Sequence, residues 1–371
     1  MEEKNTETCS AIKCVGCGAS LKFSPGKSSL ACEYCGAENK IEMATVGVIE
    51  EIDFERFLAE NIETVDKQEV NTVHCKNCDA TTTLKPNVTA DNCPFCATPL
   101  VVKEGSTTKI IKPKYVLPFK MEQKAAFENF KKWVGSLWFA PGNLKAYTQN
   151  ADKLNGMYLP YWTYDSDTSS NYTGQRGTYY YVTETYTTTE NGKPVTKTRQ
   201  VQQTRWTPAF GTVQNKFDDV LVLASKSLPE KYTNVLEPWD LQNLSDFNEN
   251  FLSGFRTECY QIDLKSGFDK AKSIMVETIR ETVRKDIGGD TQQISTVNTS
   301  YYDTKFKHIL LPIWLSAYRY NKKVYRFMIN GRTGEVQGER PYSALKIAML
   351  VIVILAALAL ALYFYKRSQQ P

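Results

Sequence analysis

Leu159-Pro160-Tyr161-Trp162 returns later in the chain as Leu311-Pro312-Ile313-Trp314. Each copy keeps the same company. Before the first lies Met121–Phe139, where Ala126, Phe127, Phe130, Val134, Leu137 and Trp138 recur at helical spacing until Pro141-Gly142 stops the pattern. Before the second lies Ser266–Lys285, with Phe268, Ala271, Met275, Ile279 and Val283 on one stripe. Ser266 is placed to cap that helix and Gly288-Gly289 to end it. After the first copy, Tyr179–Tyr186 alternates as a strand, Asn191-Gly192 is a hairpin turn signal, and Val195–Trp206 returns. After the second come Val324–Ile329, the turn Asn330-Gly331 and Thr333–Val336. Helix, gap, L-P-x-W and hairpin thus occur twice in one order. Residues 110–340 read as an α+β domain made of two related halves. Pro160 and Pro312 are expected at strand starts, where a missing N–H is harmless. Trp162 and Trp314 are expected in the core.

Upstream of this region the cysteines repeat as well. Cys14-x2-Cys17 is followed after 14 residues by Cys32-x2-Cys35, and Cys75-x2-Cys78 after 14 residues by Cys93-x2-Cys96. A CxxC turn aims two thiolates at one ion, and two such turns complete a tetrahedral site with no open position. Cys14, Cys17, Cys32 and Cys35 are therefore expected to hold one structural Zn2+, and Cys75, Cys78, Cys93 and Cys96 a second. Four thiolates serve iron as well, so the sequence leaves the metal between zinc and iron. Such thiolates persist best in a reducing compartment. Gly18 and Gly36 suit the left-handed turn after the first block's pairs; Asp79 and Ala97 stand there in the second, which reads as the weaker site. The ribbons span 1–40 and 73–103. Between them, 41–72 is acidic, and Phe54, Phe57, Leu58 and Ile62 suggest a short amphipathic helical linker.

The other end is apolar. Ile347–Tyr365 holds no charge, with Lys346 before it and Lys366-Arg367 after it. A helix of about 19 residues is roughly 28 Å long, close to the thickness of a hydrocarbon core. Residues 346–365 are expected to form a single transmembrane helix, with 366–371 as a short tail. The N-terminus lacks a basic region and an apolar stretch, so it does not read as a secretory signal. Together with the thiolates, this places the chain as a tail-anchored protein of the cell membrane with cytoplasmic N-terminal domains.

The chain has 371 residues and a formal net charge of +4. Residues 1–100 hold 16 acidic against 9 basic side chains, a net of −7, which leaves +11 for the rest. That acidity opposes nucleic-acid binding by the ribbons, because phosphate contacts need clustered Lys and Arg. Only His74 and His308 are present, so histidine-based catalysis has little material. Gly26-Lys27-Ser28 resembles the end of a phosphate loop, but Leu21 stands where its first glycine belongs. Asp218-Asp219 is the best carboxylate pair, yet neighbours on a strand face opposite ways. The chain is not expected to be an enzyme.

The run Leu310–Ile347 (LLPIWLSAYRYNKKVYRFMINGRTGEVQGERPYSALKI), Leu252–Tyr260 (LSGFRTECY), the paired ribbons and the terminal span together resemble a family of bacterial membrane proteins. Its members are labelled TFIIB-type zinc-ribbon proteins or relatives of primosomal protein N′, a helicase whose ATPase motifs are absent here. The resemblance covers nearly the whole chain. It implies a scaffold role beside SPFH-domain, flotillin-like proteins and membrane-stress systems, and supplies no catalytic residues. The leading expectation is a membrane-anchored adaptor that recruits such a cytosolic partner through protein–protein contacts. The alternative is a membrane-associated nucleic-acid-binding zinc-ribbon protein.

Overall fold

In the computed structural model, strands β1 (Asn155–Glu190) and β2 (Lys193–Leu223) form one long hairpin, and β3 (Thr291–Tyr320) runs antiparallel on the other side of β1. The structure describes residues 12–41, 49–59, 67–76, 80–83, 90–93, 95, 99–101, 106–144, 154–190, 192–321 and 323–368. The two L-P-x-W segments are neighbours: Leu159 pairs with Leu311, Tyr158 with Pro312 and Pro160 with Leu310. Helix α1 (Gln123–Ser136) precedes β1, and α2 (Leu264–Ile287) precedes β3. Each motif tryptophan reaches across to the other motif's helix. Trp162 Nε1 donates to the Ile262 carbonyl at 2.9 Å, just before α2, and Trp314 Nε1 donates to the Met121 carbonyl at 3.0 Å, just before α1. Both rings are buried as expected.

The prolines lie inside their strands, not at the strand starts. The Pro160 carbonyl accepts from Ala224 N at 3.0 Å, and the Pro312 carbonyl from Gly331 N at 2.9 Å. Backbone N and C=O of one strand residue point the same way. Each proline nitrogen therefore faces the spot where the returning hairpin strand has just ended, so no ladder bond is lost. For Pro312 that strand is β4 (Lys323–Asn330), which pairs in turn with β5 (Val336–Gly338).

Alternation across the sheet sorts the core. Leu159, Tyr161, Ile309, Leu311 and Ile313 face one cluster, which Cys75, Cys93 and Phe95 of the second cysteine block join. Tyr158, Leu310 and Trp314 face the opposite side, against α1 and the first block. On that same side Trp162, Tyr164 and Phe306 pack under α2. Gly267 lets α2 press close: a Cβ there would lie 2.4 Å from the Tyr164 hydroxyl and 2.9 Å from Trp162. The cap of α2 is Asp263 and not Ser266. Its Oδ1 accepts from Ser266 N, while Ser266 Oγ donates to Oδ2.

Two regions differ from the sequence reading. The strands expected at Tyr179–Tyr186 and Val195–Trp206 are the outer thirds of β1 and β2. Among the described residues, the linker 41–72 is helical only over Phe54–Ala59, and its last residues belong to the strand Lys67–His74, which pairs with Ser106–Ile111. Ile62 lies outside the described residues.

Both neighbours of β1 bulge at one height. Pairing jumps from Tyr164/Val220 to Ser166/Phe217 against β2, and from Asp165/Lys305 to Asp167/Tyr302 against β3. Each partner thus carries one extra residue there. Asp219 (φ 52°) and Asp303 (φ 49°) take the left-handed conformation that one class of bulge uses. Beyond this level the three strands run on as an arm, and past Gly177 only β1 and β2 continue.

Helix α3 (Ala344–Ser368) closes the chain. Its span Ala344–Tyr365 is long and apolar enough to cross a membrane, and none of the apolar window is buried in the body. A soluble core helix of this length would be covered by its own protein.

Candidate metal centre

The first cysteine block folds as two matching turns on a three-stranded sheet, Lys22–Phe23, Ser29–Ala31 and Glu38–Lys40. In one turn Cys14 N donates to the Ala19 carbonyl and Gly18 N to the Cys14 carbonyl. In the other, Cys32 N donates to the Ala37 carbonyl and Gly36 N to the Cys32 carbonyl. Gly18 (φ 72°) and Gly36 (φ 73°) supply the left-handed step that closes each turn. The result brings all four sulfurs within 4.8 Å of one another. Cys14 and Cys35 Sγ are 3.5 Å apart, as are Cys17 and Cys32 Sγ. A tetrahedral ion with bonds of about 2.3 Å would separate its sulfurs by about 3.8 Å, so the group fits such an ion with little adjustment.

The electrostatics suit a cation. Backbone N–H groups of Cys35 and Tyr34 pull the Cys32 thiol down to about 6. Those of Cys17 and Gly16 lower Cys14. The Ala37 N–H favours a Cys35 thiolate too, but the sulfurs of Cys14, Cys32 and Cys17 outweigh it and push Cys35 up to about 12. Four thiolates this close repel one another until a positive ion sits among them.

The block is part of the body's core. Leu21, Phe23, Leu30 and Ile41 share one apolar cluster with Phe119, Phe130 and Trp314. Phe23 N donates to the Ser253 carbonyl, Ser253 Oγ to the Leu21 carbonyl, and Gly26 N to the Phe119 carbonyl. Phe23 packs edge-on against Phe251 with centroids 5.4 Å apart. The tips of the turns stand free, with Val15 92% and Tyr34 83% exposed.

In the second block, Cys75 N donates to the Ala80 carbonyl, repeating the first-block turn. Cys75 and Cys93 are buried. Cys78 and Cys96 lie outside the described residues, as do Asp79 and Ala97. His74 is exposed, with Nδ1 3.4 Å from Thr81 Oγ1. Cys259 is buried beside this block, and burial pushes its thiol up to about 12.

A second polar cluster was not foreseen from sequence. Glu51, Asp165 and Asp218 bring carboxylate oxygens within 4.8 Å of one another. The Lys307 ammonium, almost fully buried, lies 3.1 Å from Glu51, 3.4 Å from Asp165 and 2.8 Å from Asp219. Burial works against its charge, but these carboxylates overcome it and hold Lys307 well above its usual range. Burial and the nearby Glu51 raise the Asp165 carboxyl to about 6. Lys307 already pairs with two of these carboxylates and with Asp219, so the cluster is an internal ion network at the double bulge. Alternation along a strand predicts Asp218 and Asp219 on opposite faces. The bulge at Asp219 cancels it, and both carboxylates turn to one cluster. A doubled aspartate inside a strand pattern is the sequence signal that could have suggested this.

With this geometry in hand, the chain can be set against known proteins. No family model matches it, and no solved structure matches it. It is similar to the uncharacterized protein YdjG of Bacillus subtilis (strain 168). The two are 25% identical over 344 residues, which cover 91% of this chain and 92% of that protein. The likeness is therefore one of whole chains, not of a shared cysteine module alone.

Proposed function

We propose that the chain is a membrane-anchored, metal-binding adaptor that holds a cytosolic protein partner at the bilayer. One observation carries the reading: the four-cysteine block and the apolar helix are fastened to the same body, with the tips of the metal turns left bare. A closed four-thiolate site has no position for a substrate, so its metal is structural. What it offers outward is a rigid pair of turns ending in Val15 and Tyr34. Exposed apolar side chains on a stapled turn suit protein contact. The sequence resemblance points to an SPFH-domain protein as the partner. The second cysteine block supplies a second metal site in this reading. Nucleic acid is the weaker alternative. Along the arm, Lys197 pairs with Glu190 and Arg199 with Glu184, which spends basic charge internally.

Affinity capture from detergent-solubilised native membranes tests the proposal. The Val15→Ser/Tyr34→Ser variant is expected to keep its metal and its melting temperature and to lose the captured partner. Unchanged capture by that variant counts against partner binding through the turns.

A further inference from the structure

The turn that follows α1 carries an exposed tryptophan at an unusual address. Trp138 is 76% exposed, whereas Trp162, Trp239 and Trp314 are buried. Its backbone is tied to the first turn of α3. The Lys346 ammonium donates to the carbonyls of Trp138 and Ala140, each at 2.9 Å. Ser343 N donates to the Phe139 carbonyl at 2.7 Å. Around these bonds Tyr342 and Leu345 are also exposed. The uncharged run begins at Ile347, one residue after the lysine that makes the contact.

We propose that the Leu137–Ala140 turn is a second membrane contact, with the Trp138 indole seated in the lipid headgroup layer beside α3. The occupant follows from continuity: the turn is bonded to the helix at the level where the apolar surface starts. Trp and Tyr favour that depth because their rings are part apolar and part polar. Arg340, two residues before Tyr342, adds an exposed positive charge suited to anionic lipid. Lys346 is held by the turn's carbonyls, so it joins body to helix instead of reaching for phosphate. The body then meets the bilayer at two points, helix and turn, and cannot swing freely on its anchor.

This rests on reading α3 as a membrane span, and the test separates the two. Full-length protein is reconstituted into phosphatidylcholine–phosphatidylglycerol vesicles containing lipids brominated at shallow or deep acyl positions. Tryptophan emission of the wild type is compared with that of Trp138→Phe, an exposed substitution that leaves the core intact. The difference emission, which belongs to Trp138, is expected to be quenched by shallow bromines more than by deep ones and to resist aqueous iodide. Lys346→Met is expected to lessen that protection. If the protein floats with the vesicles while the Trp138 component is open to iodide and untouched by bromine, the seat is overturned and the anchor stands. If the protein does not float at all, both are overturned.

Discussion

Glu258 shows how much one side chain can set. It is buried, and Ser227 Oγ donates to its Oε1. Burial raises its carboxyl to about 8, and the Ser227 and Ser225 hydroxyls offset only part of that rise. The folded chain therefore holds this proton where the unfolded chain, near 4.5, releases it. The stability that Glu258 contributes is fully present below pH 4.5 and is lost as pH climbs through about 8. Glu258→Gln is expected to flatten that slope, so its melting temperature should exceed that of the wild type most at alkaline pH. Melts recorded from pH 5 to 9 check this. At this scale the thiols were legible in the sequence, because CxxC spacing is itself a coordination geometry. Asp219 was not, because periodicity assumes a regular strand and a left-handed residue breaks the count.

Among the elements, helices α1 and α2 could be read from their apolar stripes, but the strands could not be measured. From Thr163 to Gly174 the chain reads Thr-Tyr-Asp-Ser-Asp-Thr-Ser-Ser-Asn-Tyr-Thr-Gly, which looks like a loop. Hydroxyls hold it as a strand. Ser166 meets Thr304 at 3.1 Å, Ser170 meets Thr299 at 2.8 Å, and Thr173 meets Thr296 at 2.7 Å. Such pairs replace the apolar alternation that normally marks a strand. The weak point of α2 is Gly267. Gly267→Val would drive a methyl into Tyr164 and Trp162, and overpacking of that kind costs about 1–3 kcal/mol or more. The variant is expected to unfold at lower urea, whereas Gly192→Ala at the hairpin tip, with open space around it but φ 76°, should strain only its own left-handed turn. Chemical denaturation of the two variants side by side measures the contrast.

For the whole molecule the sequence marks out two ribbons, a linker, a domain and an anchor in line, and says nothing of how they pack. The structure joins the first cysteine block to the core of the body through Phe23, Leu30 and Ile41. That union was invisible in the sequence because these residues are equally able to fill a private core. It has a measurable result. Stripping metal from an independent module would leave the domain untouched. Here Cys14→Ser is expected to lower the melting temperature of the body and to remove one metal ion per chain. Calorimetry paired with elemental analysis of the same sample follows both.

The long arm gives the molecule a direction. β1 has 36 residues, so at roughly 3.3 Å each its contour approaches about 120 Å. At one end of the spine, Tyr318 and Tyr320 of β3 bond to Glu339 and Asn143, near where α3 begins. The hairpin tip lies at the other. With the double bulge braced by Lys307, the arm is a mast that rises from the end of the body where α3 begins. On the proposed reading of α3 as a membrane span, the exposed tyrosines of the arm's upper reach, Tyr179, Tyr180, Tyr181 and Tyr186, are carried far from the bilayer at a distance that the length of β1 sets.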